Sequence, residues 1–138
     1  MSLFVDTSMF YAAVDAGDVD HERAKIVLAG ATGDLLTTDH VLFETWRLLR
    51  QRLGRPVAER FFETIRAGLA DLEFIQPRDV EAAWAFGVSY VDQDFSIVDR
   101  TSFAVMERLG VARVATFDSD FAIVRLGPRR EWAFEIVA

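Results

Sequence analysis

Four carboxylates in this chain stand where they can share one site: Asp6, Glu44, Asp99 and Asp118. Asp6 ends the apolar run Leu3-Phe4-Val5 and is followed by two hydroxyls, Thr7 and Ser8. Asp118 ends a second apolar run, from Val111 to Phe117. Asp99 falls in the first turn of a helical pattern that starts at Ser96. Glu44 lies among Val41, Leu42, Phe43 and Trp46, close to the apolar face of its helix, where an unpaired charge is costly. Each acid also has an ordinary structural account. Asp6 can cap the helix after it, and Ser96 with Asp99 fits a capping box. Asp118 can cap a short turn through Phe121, and Glu44 can pair with Arg47 one turn on.

Taken together, those accounts meet an electrostatic obstacle. In an open parallel sheet, ligands sit beyond the carboxyl ends of the strands, where strand order reverses. If the strands ending at Asp6 and Asp118 are central neighbours, their acids meet there, and the start of the Ser96 helix brings Asp99 over the same crevice. One carboxylate pair at ~5 Å and an effective dielectric of ~20 repels by roughly 3 kcal/mol. Summed over the set, the repulsion rivals a whole domain's stability of about 5–15 kcal/mol. Such a cluster must bind protons or hold a cation. Oxygen ligands with no cysteine anywhere and no histidine nearby suit a hard ion, Mg²⁺ or Mn²⁺.

The elements that must position these acids can be read from periodicity and punctuation. A short strand at Leu3–Val5 leads to a helix through Met9, Phe10, Ala12 and Val14, and a polar turn at 15–20 leads to a second helix, His21 to Ala31. Leu35 to Thr38 is a second strand. Asp39 is expected to cap a long helix to Leu53 with Leu42, Trp46, Leu49 and Leu53 on one side. Gly54 stops it and Pro56 starts another, which should turn Ala58, Phe61, Phe62, Ile65 and Leu69 inward. A third strand at Leu72–Ile75, a helix from Pro77 to Tyr90, a turn at 92–94, a helix from Ser96 to Leu109 and a fourth strand at 111–117 follow. A short helical turn (Asp120–Val124) and Gly127-Pro128 lead to a last strand, Trp132 to Val137. Strands alternating with helices imply βαβ units. The expected fold is therefore a single-domain three-layer α/β/α sandwich with a mostly parallel sheet, spanning residues 1–138.

Composition narrows the functions available. With 51% hydrophobic and 27% charged residues the chain has a sizeable core and an ordinary polar surface. No apolar run is long enough for a membrane span, and Asp6 interrupts the first apolar run, so no signal peptide is expected. Zero cysteines exclude disulfides and thiolate chemistry and fit a cytoplasmic location. The net charge of −7 opposes broad attraction to nucleic acid. Against that, Arg47, Arg50, Arg52, Arg55, Arg60 and Arg66 crowd one 20-residue stretch, either a phosphate- or acid-facing edge or a solvated face paired with Glu59 and Glu63.

The stretches Phe4-Val5-Asp6-Thr7-Ser8, Thr38 to Thr45 with Glu44, Asp92 to Phe103 with Ser96, Asp99 and Ser102, and Thr116-Phe-Asp118-Ser-Asp120-Phe121 resemble, in order and approximate spacing, the motifs of the PIN-domain ribonucleases, and most closely the VapC-type toxins of toxin–antitoxin pairs. The resemblance covers essentially the whole chain. It implies that Asp6, Glu44, Asp99 and Asp118 are the catalytic, metal-binding acids, with Asp120 as a fifth ligand whose role varies in the family. It also implies a Mg²⁺- or Mn²⁺-dependent endoribonuclease acting on transfer or ribosomal RNA, structured or single-stranded, a cognate antitoxin as partner, and a homodimer.

Thr7, Ser8 and Ser102 are candidates to orient the carboxylates. His40 and Glu44 have ligand spacing on one helix, but His40 falls at its start, and His21 reads as a surface residue. Trp46, Trp84 and the Phe61-Phe62 pair read as core or dimer interface rather than base-stacking platforms. A phosphatase or receiver-like reading needs a lysine after a late strand, and the only lysine, Lys25, lies in the second helix. The remaining alternative is a catalytically silent scaffold whose acids are structural caps.

Overall fold

The computed structural model describes residues 1–138. Five strands form one parallel sheet: β1 (Leu3–Val5), β2 (Leu35–Thr38), β3 (Asp71–Glu73), β4 (Arg113–Ala115) and β7 (Glu135–Val137), in the order β3-β2-β1-β4-β7. Six helices flank it: α1 (Thr7–Val14), α2 (His21–Ala29), α3 (Asp39–Leu53), α4 (Arg55–Arg66), α5 (Pro77–Ser89) and α6 (Ile97–Leu109). The three-layer parallel architecture expected from the alternating pattern is the one observed.

The chain builds outward from β1 through β2 to β3, then crosses back to lay β4 on the other side of β1. The order therefore reverses between β1 and β4, which pair in parallel through Phe4 with Val114 and Val5 with Ala115. A crevice opens at such a switch point, outside the carboxyl ends of the two strands. Asp6 and Asp118 are the acids that follow those ends.

The central strands are apolar on both faces because helices cover both. Leu3, Phe4, Val5, Val114 and Ala115 are essentially without exposure. A ring cluster holds α6 on the sheet: Phe103 meets Phe95, Phe121 and Phe134 at 5.2, 5.0 and 5.8 Å between centroids. The first two are edge-to-face, at 82° between ring planes, and such pairs add about 0.5–1.5 kcal/mol each beyond the area they bury. Phe10 of α1 meets Phe61 of α4 edge-on at 5.3 Å.

Several local expectations are corrected. Thr38, not Asp39, caps α3, its hydroxyl accepting the Val41 N–H at 3.1 Å. Asp39 lies inside the first turn and accepts from Ile75 N–H at 2.8 Å, tying α3 to the chain after β3. Leu69 is exposed, because α4 ends at Arg66 before its apolar stripe reaches that residue. The last apolar stretch is two strands rather than one. Trp132–Ala133 (β6) pairs antiparallel with Arg125–Leu126 (β5), and β7 joins the main sheet. The break falls at Phe134, which turns inward against Phe103 and Phe121 instead of continuing the alternation. At Gly54 the backbone takes φ 98°, which few other residues tolerate, and this allows the immediate turn from α3 into α4.

Candidate functional site

Asp6 occupies the cap position of α1 but its side chain makes no capping bond. Its Oδ2 instead accepts two hydroxyls, from Ser8 at 3.0 Å and from Thr116 at 2.9 Å. Those hydroxyls are held from behind: Ser8 Oγ accepts the Phe117 N–H at 3.0 Å, and Thr116 Oγ1 accepts the Asp118 N–H at 2.9 Å. Two backbone N–H groups after β4 are thus relayed through two hydroxyls onto one carboxylate after β1. Thr116 is the member of this relay that the sequence reading left without a role. Its signal was a hydroxyl at a strand end, two residues before an acid.

Asp118 does act as a cap: its Oδ1 accepts the Asp120 N–H at 2.9 Å, closing the 3₁₀ turn Ser119–Ala122. Asp99 sits in the first turn of α6, where Ser96 Oγ accepts its N–H at 3.0 Å. Carboxylate oxygens of Asp99, Asp118 and Asp120 lie within 4.8 Å of one another. Asp6 and Glu44 line the same open crevice of roughly 500 Å³, together with Thr7 and Ser8. Glu44 is half-buried and enters no salt bridge, with Arg47 or any other cation. The Thr7 and Ser102 hydroxyls are buried with no hydrogen-bond partner, Thr7 on the crevice wall and Ser102 one turn beyond Asp99.

Burial, only partly offset by the Thr116 and Ser8 hydroxyls, pushes Asp6 up to about 6. Burial, then the charges of Asp6 and Asp118, push Asp99 up to about 8. Burial and the charge of Asp118 raise Asp120 as well. Asp79 of α5 shows the contrast. It is as buried as Asp6, and burial alone would raise it, yet it is held below the usual carboxylate value, because Arg108 forks onto it at 2.8 and 2.9 Å. Asp79, fully buried and structural, thus comes with its cation. The acids at the switch point have none, so a positive charge is what that cluster lacks. The donor set is all oxygen and matches a hard divalent ion in chemistry and in spacing. His21 and His40 are turned to other tasks. The His21 Nδ1–H donates to Ala12 O at 2.8 Å, and His40 Nδ1 meets Thr101 Oγ1 at 3.1 Å; neither ring lines the crevice.

The relay makes a direct prediction. Thr116→Val keeps the shape but removes the donor to Asp6 and strands the Asp118 N–H, at a cost of about 1–3 kcal/mol. Chemical denaturation should show that loss, and divalent-ion affinity measured by calorimetry should fall with it. An unchanged affinity would show that the relay does not shape the site.

The PIN domain family model matches residues 3–126. Over 120 residues the chain is 37% identical to the 23S rRNA-specific endonuclease VapC20 of Mycobacterium tuberculosis, covering 87% of this chain and 92% of that protein. It is 26% identical over 133 residues to a VapC ribonuclease of Archaeoglobus fulgidus, covering 92% of this chain and 83% of that one. The crystal structure of the M. tuberculosis VapC20, described as a sarcin–ricin loop cleaving toxin, superposes with a TM-score of 0.83 over 88% of this chain and 94% of that one.

Proposed function

We propose that this chain, which belongs to the PIN-domain family, is a divalent-metal-dependent endoribonuclease and the toxin of a toxin–antitoxin pair. The observation that carries the reading is Asp99. It is 7% exposed, faces no cation, and shares a 4.8 Å oxygen cluster with Asp118 and Asp120 at the switch point of the sheet. The scaffold alternative needs the acids to be caps, and of Asp6, Asp99 and Asp118 only Asp118 caps through its carboxylate.

Asp99, Asp118 and Asp120 would hold the ion, with Asp6 and Glu44 completing the acid set. What a bound Mg²⁺ or Mn²⁺ supplies is an activated water for in-line attack on a phosphodiester and a counter-charge for the phosphate. The relay from Ser8 and Thr116 fixes the Asp6 carboxylate in one orientation, with both hydroxyls on Oδ2 and Oδ1 left free of them. Glu44, half-buried and outside any salt bridge, stands on the wall of the same crevice. Attack by the ribose 2′-hydroxyl would need a base at the bond, usually imidazole, and no imidazole lines the crevice. Products with 5′-phosphate and 3′-hydroxyl ends follow.

The substrate class is transfer or ribosomal RNA, and the relatives' names make a large-subunit ribosomal RNA hairpin the first to try. Its loop offers unpaired bases and a backbone that can enter a narrow crevice. No helix is long and apolar enough to cross a membrane, and a cytoplasmic site of action goes with an RNA target. An acid-lined crevice invites inhibition by a basic, disordered antitoxin segment that folds on binding. The test is to incubate the purified chain with the hairpin, with Mg²⁺ or Mn²⁺ and with EDTA, and to map the ends. Ion-dependent cleavage with 5′-phosphate ends supports the reading; cleavage that persists in EDTA overturns it.

The homodimer has a surface to match. Val80, Trp84 and Val88 stand one turn apart on α5, with Trp84 70% exposed, and form an unpartnered apolar stripe. Trp84→Glu should give a monomer by sedimentation at micromolar concentration without lowering the melting temperature of the fold. A dimer that survives the change would place the interface elsewhere.

A further inference from the structure

The candidate active crevice does not end at the acids. It runs along one face of α3 from Glu44 past Leu48 to Arg52, residues spaced a turn apart and covering about 12 Å of helix axis. Eight carboxylates line this crevice, and Arg52 is its only cation. Its guanidinium lies over the Tyr11 ring, 5.1 Å from the centroid, within cation–π range. The ring is itself fixed: Tyr11 is buried in the core, and its hydroxyl donates to Asp15 Oδ2 at 2.7 Å. Arg52 enters no salt bridge. Asp15, the acid nearest in role, is already engaged by the Tyr11 hydroxyl and by Gly17 N–H at 2.9 Å. The result is an arginine fork lying over an aromatic face and paired with no carboxylate in a salt bridge, its charge reaching only the already engaged Asp15.

We infer that Arg52 is a substrate-binding residue that takes a second phosphodiester of the same RNA strand, away from the bond being cut. This rests on the nuclease reading above and adds to it a named contact and a direction along α3. The physical need is plain. A crevice carrying eight acids repels a polyanion, and neutralising the cluster at one end leaves the strand tethered at a single point. A guanidinium about 12 Å along the helix supplies the second point, with Leu48 as an apolar spacer between them. Arginine suits the task better than lysine because its planar fork pairs with two phosphate oxygens at once and stacks on an aromatic ring. Two fixed points also set the strand's direction through the crevice, and hence which bond lies over the acids.

The experiment is steady-state cleavage of a synthetic large-subunit ribosomal RNA hairpin by the parent chain, Arg52→Ala and Arg52→Lys, in Mn²⁺. In Arg52→Ala, KM should rise about tenfold with kcat within about twofold, and the salt dependence should lose about one phosphate contact. Arg52→Lys should fall between the two. A second arm replaces single phosphates in the hairpin by neutral methylphosphonates. One position away from the cleaved bond should weaken binding to the parent and have no effect on Arg52→Ala. The melting temperature controls for folding, which the exposed Arg52 head should not perturb. Unchanged KM in Arg52→Ala overturns the inference, as does a raised KM with every methylphosphonate penalty intact. In both cases parent cleavage leaves the nuclease reading standing. Failure of the parent to cut any RNA removes both.

Discussion

Without divalent ions at pH 8, Asp99→Asn is expected to melt above the parent, by on the order of 10 °C. The reason is the direction in which folding moves the carboxylates. Unfolded, Asp99 and Asp6 ionise near the ordinary value of 3.8; folded, they are pushed to about 8 and about 6. Between those values the folded state binds more protons than the unfolded one, so stability falls as pH rises. A tenfold change in a group's proton affinity is worth about 1.4 kcal/mol, so an ionised Asp99 costs the metal-free fold several kcal/mol. The neutral amide avoids that cost. The metal-free parent should therefore lose stability as pH rises above about 4, most steeply up to about 6 while Asp6 and Asp99 both contribute, then on Asp99 alone up to about 8, and level off once both are ionised in the fold. Saturating Mn²⁺ should flatten the decline, because an ion binds the ionised acids and binding to the native state stabilises it. Asp99→Asn should gain less from Mn²⁺ than the parent. Thermal melts across pH, with EDTA and with Mn²⁺, measure all of this. A variant that is less stable by the same amount in both conditions would show Asp99 to be a helix-start acid and nothing more.

Cleavage should fall by about a thousandfold or more in Asp6→Asn, Glu44→Gln and Asp99→Asn, the scale set by losing a charge that acts on the transition state. Glu44→Gln is the cleanest of the three. Glu44 enters no salt bridge, so its amide should leave the melting temperature nearly unchanged while activity disappears. Asp118→Asn should retain more activity, since Asp120 lies in the same oxygen cluster and can take over part of its task. Product ends separate the chemistry from the fold. Hydrolysis by water leaves 5′-phosphates, whereas 2′,3′-cyclic phosphates would require a base acting on the ribose hydroxyl. With His21 bonded to Ala12 O and His40 engaged with Thr101, cyclic ends would sink the proposed mechanism even if every acid proved essential.

How much of this was legible beforehand follows the range of each interaction. Hydrophobic period, caps and breakers are local, so all six helices and the five-stranded parallel architecture could be read from the residues, with errors at the ends. The exceptions were local patterns overridden from a distance. The 132–137 run reads as one strand until Phe134 is drawn into the ring cluster around Phe103, and Asp39 reads as a cap until the Ile75 N–H claims it. Arg52 was one of six arginines in a stretch, and only the Tyr11 ring and the crevice wall set it apart.

Asp79 and Asp99 mark the boundary most sharply. Each is an acid three residues into a helix start, after Gln76 and Ser96, and each is buried. By itself the sequence determined that both would begin helices, that Asp6 and Asp118 would follow strands, and that no cysteine would join them. The strand order β3-β2-β1-β4-β7 decided the rest. It carried Asp118 beside Asp6 and left Asp99 facing acids, while the packing of α5 on α6 gave Asp79 the Arg108 fork from 29 residues away. Helix starts are set by bonds within a turn or two of chain. A carboxylate's charge state is set by whatever lies a few ångströms off in space, and that is fixed only when the sheet closes.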